Sequence, residues 1–179
     1  EHLCYFSLTA LTHVFRTNGL TITDVERIPT HGGSLLIFAA PQEASAPEQP
    51  AVRRMLSDES AHLTGADQPS GVMNFSKRVQ RLQSDIRACL SKLRADGKRM
   101  AAYGAAAKGC ILLNYCRLGT DVVEFVVDRN PVKQGKRMPG THQPIYGPEK
   151  LLEAMPEYVL ILPWNIADEI MRQESAYRS

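Results

Sequence analysis

An excess of charge of one sign is what this chain most conspicuously lacks: 21 Lys and Arg against 19 Asp and Glu leave a formal net charge of +2. No basic stripe interleaved with aromatics rises above that balance, which excludes the electrostatic footprint of a nucleic-acid binder. Long apolar runs are missing as well. None reaches the roughly 18 residues a membrane span needs, and no charged-then-apolar signal segment opens the chain. Cysteine is sparse and unpatterned. Cys4, Cys89, Cys110 and Cys116 form no Cys-x-x-Cys pair, so they read as reduced thiols of a cytoplasmic protein rather than disulfides or metal ligands. What remains is ordinary: 179 residues, 44% of them apolar, enough to build one large domain or two small ones.

Composition divides the chain. Ser7 to Asn18 reads as a helix, capped by Ser7, apolar at Leu8, Leu11, Val14 and Phe15, and ended by Asn18-Gly19. Leu20 to Ile28 and Leu35 to Ala40 read as two strands joined through His31-Gly32-Gly33-Ser34, an antiparallel pair. One helix and one hairpin cannot close a core alone, so these residues read as the tail of a larger domain. Residues 42–71 are rich in Pro, Gln, Glu, Ser and Ala and read as a linker with one short helix near Val52 to Leu56. Val72, Phe75, Val79, Leu82, Ile86, Leu90 and Leu93 then recur every three or four positions, the apolar face of a long helix that Asp96-Gly97 ends.

Beyond that helix, strands and helices alternate. Arg99 to Tyr103, Val122 to Val127 and Tyr158 to Leu162 are the strand candidates, the last apolar enough to be central. Helices are expected at about 108–116, 148–154 and 166–173. This alternation predicts an α/β, Rossmann-like parallel-sheet domain over 72–179, preceded by its long helix.

The run Met100-Ala101-Ala102-Tyr103-Gly104-Ala105-Ala106-Ala107-Lys108-Gly109 has the grammar of a buried strand, a tight turn and a helix start. Glycine permits close backbone approach, and a helix start offers unpaired N–H groups to an anion. Gly104, Ala105, Ala106, Ala107 and Lys108 are therefore the diphosphate-binding candidates. Asp128 follows the second strand, 24 residues beyond Gly104, near the roughly 20 expected of a ribose-binding acid. Trp164, the one tryptophan, and Asn165 follow the last strand and could meet a base or sugar. Each has a structural alternative: a packing turn, a turn-forming acid, a buried anchor. The turn is neither Gly-x-Gly-x-x-Gly nor a Walker loop. A nucleotide- or coenzyme A-binding module without catalysis, and a nicotinamide-dependent domain, therefore stay open.

The order of short motifs narrows the choice. Glu1-His2-Leu3 with Tyr5-Phe6-Ser7, His31-Gly32-Gly33-Ser34-Leu35, Tyr103 to Gly109, Leu113-Asn114-Tyr115, Val127-Asp128-Arg129-Asn130-Pro131, Pro139-Gly140-Thr141-His142 and Ile161-Leu162-Pro163-Trp164-Asn165 together resemble the C-terminal half of the S-adenosylmethionine-dependent C-methyltransferases of nucleotide-linked keto-deoxysugars. The resemblance covers nearly the whole chain. It implies that residues 1–41 are the trailing helix and hairpin of a truncated class I methyltransferase domain, and that 72–179 are a Rossmann-like nucleotide-sugar-binding domain. It implies His2 as general base with Glu1 beside it, and His31 as a candidate lining of the substrate cleft. The family's S-adenosylmethionine loop and its zinc ligands, which belong to a further N-terminal domain, have no counterpart here. The chain alone is expected to be inactive.

Overall fold

The structure, a computed structural model, describes residues 4–63 and 69–178; of residues 62, 63, 69–73 and 178 it describes the backbone only. It divides into two compact units, residues 1–78 and 79–179.

The first unit begins with α1 (Leu8–Thr17), which Ser7 caps by accepting the Ala10 N–H at 3.1 Å. Asn18 and Gly19, the latter at φ 75°, turn the chain into β1 (Leu20–Ile28). β1 pairs antiparallel with β2 (Ser34–Pro41), with an irregularity between Ile22 and Asp24. The expected hairpin is therefore present. The stretch expected to be mostly linker holds α2 (Pro50–Leu63), a 14-residue helix. Its apolar residues are few, but Val52 is 1% exposed and Met55 and Leu56 pack with it. Val52 joins Leu8, Ile22 and Val25 in a small core. The backbone N–H of Gln49 donates to Thr23 O at 2.8 Å, pinning the entry to α2 against the strand irregularity. The third element that a helix and hairpin need thus lies in the Pro-rich stretch.

α3 (Pro69–Ala95) runs from the first unit into the second. Its apolar face is narrower than the periodicity predicts. Ile86, Leu90 and Leu93 pack into the second core, whereas Phe75 and Leu82 are 66% and 56% exposed. Gly97 at φ 73° ends the turn after it.

In the second unit, β3 (Met100–Tyr103), β4 (Val126–Val127), β5 (Ile145–Tyr146) and β6 (Tyr158–Ile161) form a wholly parallel sheet in the order β5-β4-β3-β6. α4 (Ala107–Tyr115) links β3 to β4, α5 (Glu149–Ala154) links β5 to β6, and α6 (Ala167–Gln173) follows β6. Alternation along β3 divides two cores, as period-2 geometry requires. Met100 and Ala102 face Leu90, Leu113, Cys116 and Met138 on one side. Ala101 and Tyr103 face Phe125, Leu151 and Ile170 on the other. The α/β class and parallel sheet agree with the sequence reading. β4 is shorter than expected, because Val122 and Val123 fill the core from a turn, and β5 was not foreseen.

Candidate functional site

Strand order locates the site. From β3 the chain steps to β4 and β5 on one side, then returns to place β6 on the other. Ligands of open parallel sheets lie at such a reversal, beyond the carboxyl ends of the strands. The ends concerned are the turn after Tyr103 and the segment after Ile161.

Gly104 occupies that turn for two physical reasons. Its φ is 90°, and a Cβ built on it would stand 2.5 Å from Pro163 Cγ. The close approach its missing side chain permits is thus to the chain's own Pro163. Gly109 is similar: a Cβ there would come within 2.8 Å of Leu162 Cβ, so it brings α4 tight against β6.

The amides of the turn are partly committed. The Gly104 N–H donates to Val127 O at 2.7 Å and the Ala106 N–H to Gly104 O at 2.8 Å. The Ala105 N–H donates to Asp128 Oδ2 at 2.7 Å. Of the amides expected to meet a diphosphate, those of Ala105 and Ala106 are therefore turned to the protein. The first turn of α4, from Ala107 through Lys108, has Ala106 as its N-cap, and no side chain caps it. Lys108 is exposed at this edge. This is where the positive end of a helix meets solvent next to the strand reversal.

Asp128, 9% exposed, has a different occupation from the ribose contact expected of it. Besides Ala105, its carboxylate accepts from the Asn130 N–H at 2.8 Å and from Lys133 Nζ at 3.0 Å. Its carbonyl accepts from Gln134 Nε2 at 3.0 Å. It ties the loop after β4 to the turn after β3, a buried carboxylate satisfied by three donors.

Trp164 and Asn165 are exposed on the short 3-10 turn Trp164–Ile166, with Trp164 at 66%. A shallow cavity of about 270 Å³ is lined by residues 164–169 and Arg172. Here an indole face stands free at the same reversal, and the buried-anchor alternative fails. The sequence missed a neighbouring network: Tyr103 donates its hydroxyl to Glu174 at 2.9 Å, and Arg129 stands 3.8 Å from the same carboxylate oxygen. Burial, then the Glu174 bond, pushes the Tyr103 phenol up to about 12. Nothing in the spacing of these three residues marks them as partners.

His31 belongs to the first unit, exposed in the hairpin turn at φ 55°. His142 is exposed at φ 63°. Glu1 and His2 lie outside the described residues. Among the described residues, no three His, Cys, Asp or Glu side chains gather as metal ligands, and no helix is long and apolar enough to cross a membrane.

Residues 29–179 match the family described as the C-methyltransferase C-terminal domain. The chain belongs to that family. It is also 40% identical over 177 residues to the C-methyltransferase NovU of Streptomyces niveus, covering 99% of this chain and 42% of that protein. The chain thus spans less than half the length of the curated relative it matches. The matched range of this C-methyltransferase domain includes the parallel sheet, the Gly104 turn, Asp128 and Trp164.

Proposed function

We propose that this chain works as the substrate-positioning, C-terminal part of an S-adenosylmethionine-dependent C-methyltransferase acting on a nucleotide-linked keto-deoxysugar. The single observation that carries the reading is the family match, laid over an edge with an uncapped helix start, Lys108 and an exposed indole. On this reading the diphosphate meets the first turn of α4 and Lys108, while Trp164 and Asn165 meet the base or sugar. Asp128 holds the turn and touches no ligand.

S-adenosylmethionine, when bound, supplies an electrophilic methyl group. The residues of this chain do not fit it as a seat, since Pro163 packs against Gly104 and Asp128, the strand-end acid, is spent on internal donors. We therefore place it outside this chain. The chain's own chemical contribution is His2, which would remove the proton from the carbon beside the sugar ketone. Imidazole suits that role because its pKa lies near neutrality. Binding energy from the diphosphate, remote from the reacting carbon, would hold the sugar in an attack geometry.

Calorimetry on the 179-residue protein with dTDP, NAD and coenzyme A tests the positioning role. Micromolar binding of dTDP alone is the expected result. Lys108→Ala should weaken it about tenfold or more, the scale of a hydrogen bond to a charged group. A preference for NAD or coenzyme A would instead assign the edge to a different cofactor and overturn the reading.

A further inference from the structure

Two carboxylates stand where β3 gives way to its turn, and each carries a cation. Glu174, which accepts the Tyr103 hydroxyl, has Arg129 at 3.8 Å. Asp128, which accepts the Ala105 N–H, has Lys133 Nζ at 3.0 Å. The second pair is the closer and the less exposed, at 12% for the Asp128 side chain and 38% for that of Lys133.

Hydrogen bonding alone does not call for Lys133. The Asn130 N–H already occupies Asp128 Oδ1 at 2.8 Å, and the Ala105 N–H occupies Oδ2 at 2.7 Å. A buried carboxylate with an N–H on each oxygen is satisfied. Lys133 meets the same oxygen as Ala105, and what it adds there is a full positive charge. The loop after β4 is wound to deliver it. Asn130 Oδ1 accepts the Val132 N–H at 3.0 Å, and Asn130 O accepts the Lys133 N–H at 3.0 Å. Gln134 Nε2 then returns to Asp128 O at 3.0 Å.

That charge matters to the neighbouring helix. α4 begins at Ala107, two positions beyond Ala105. An uncompensated carboxylate beside it would cancel the helix field that favours anions, and would repel a diphosphate directly. With Lys133 on it, Asp128 ties the turn down without making this edge negative. We propose that Lys133 is a positioning residue of the substrate site: the counter-charge on Asp128 that lets the start of α4 accept a diphosphate. This rests on the reading of that edge as the diphosphate seat.

The test titrates dTDP into the 179-residue protein and its variants at low and high salt. Lys133→Gln keeps a donor for Asp128 and loses the charge. On the Coulomb scale for charges about 10 Å apart near a protein surface, its dTDP affinity should fall about tenfold. The fall should shrink at high salt, where charges are screened. Lys133→Arg keeps the charge and should match the parent. Lys136→Gln removes the same charge from an exposed position on the same loop and should match it too. Joining Asp128→Asn to Lys133→Gln removes both charges and should restore the parent affinity. Hydrogen exchange at the Ala105 amide reports whether the turn has opened, and it should stay slow in Lys133→Gln.

Unchanged affinity in Lys133→Gln, with the parent binding dTDP, overturns the proposal and leaves the diphosphate seat standing. An equal fall in Lys133→Arg or Lys136→Gln overturns it as well. So does a double variant no better than Lys133→Gln while Ala105 stays protected, which would put the ammonium on the phosphate itself. Fast Ala105 exchange in Lys133→Gln would make the residue a structural tie and also overturn the proposal. Should Asp128→Asn open the turn, Lys133→Gln against Lys133→Arg decides by the same criteria. A parent that binds no dTDP overturns the diphosphate reading, and this proposal with it.

Discussion

The two units are held together differently. The second is built by burial: cores on both faces of a parallel sheet, with Leu113, Val123, Val126 and Val127 at 0% exposure. Among the described residues, the first has only Leu8, Ile22, Val25 and Val52 as buried apolar side chains, and leaves Val14, Leu36 and Phe38 at 42–43% exposure. Its elements are joined instead by polar bonds between segments distant in sequence: Glu59 on Leu8 and Thr9, Gln49 on Thr23, Gln42 on Arg16. Apolar contact is non-directional and insensitive to pH, whereas a hydrogen bond to a carboxylate is neither. The first unit should therefore respond to single polar substitutions and to acid. The second should respond to lost volume.

Large-to-small substitutions test that contrast most severely. Leu113→Ala removes a fully buried side chain of α4 from the larger core and should destabilise the second unit by about 3 kcal/mol. Val52→Ala, in the smaller core, should cost about 2 kcal/mol. Urea unfolding read by amide hydrogen exchange separates the units. Equal losses in both units from either substitution would show that they unfold as one body and dissolve the comparison.

Gly104→Ala comes next. A side chain there meets both a φ of 90° and Pro163 at 2.5 Å. The strain of that backbone and the overpacking together cost on the order of 2 kcal/mol, confined to the second unit. The same variant sharpens the functional contrast. If the turn must keep its shape to present α4 to a diphosphate, dTDP affinity falls with stability. Unchanged affinity would place binding elsewhere on this unit.

Much of this was legible in the residues, and the gaps have identifiable causes. β3 and β6 are short apolar runs bounded by Gly104 and Pro163, which announces them, but β6, expected to be central, is the last strand of the sheet, with Tyr158 46% exposed. The strand reversal could be guessed only as far as alternation allows, and β5, two residues long, carries no period at all. α2 was expected only as a short helix near Val52 to Leu56; its full length, Pro50–Leu63, was missed because Pro and Gln surround an apolar face of only Val52, Met55 and Leu56, although Pro50 at its first position is where a helix accepts proline. The run Val122–Val127 overstated a strand because Val123 fills the core without pairing. At the candidate site, the positions of the turn and of Trp164 beyond the strand ends were readable from the sequence, whereas the 66% exposure of Trp164 was not. The commitment of Asp128 to Ala105, Asn130 and Lys133 was not. A carboxylate's partners are chosen by which amides the fold brings near, and spacing along the chain does not encode that.

The smallest effects are in the pH limbs, where the units should fail at opposite ends. Burial by itself would raise the Glu59 pKa, but the bonds from Thr9 and Leu8, with Arg27 nearby, hold it below its ordinary value of 4.5. Its contribution is therefore present above that value and is lost as pH falls through the folded one. Tyr103, raised from 10.0 to about 12 by burial and by Glu174, contributes fully below 10.0 and loses that contribution as pH rises through about 12. Glu59 is only half-buried, so its limb is shallow, whereas Tyr103 is 5% exposed. Stability of each unit against pH, from the same exchange measurement, should show an acid limb in the first unit that Glu59→Gln flattens. It should also show an alkaline limb in the second that Tyr103→Phe flattens. If Glu59→Gln left the acid limb of the first unit intact, its acid sensitivity would belong to other carboxylates, and the bonds from Glu59 to α1 would hold no part of the difference between the two units.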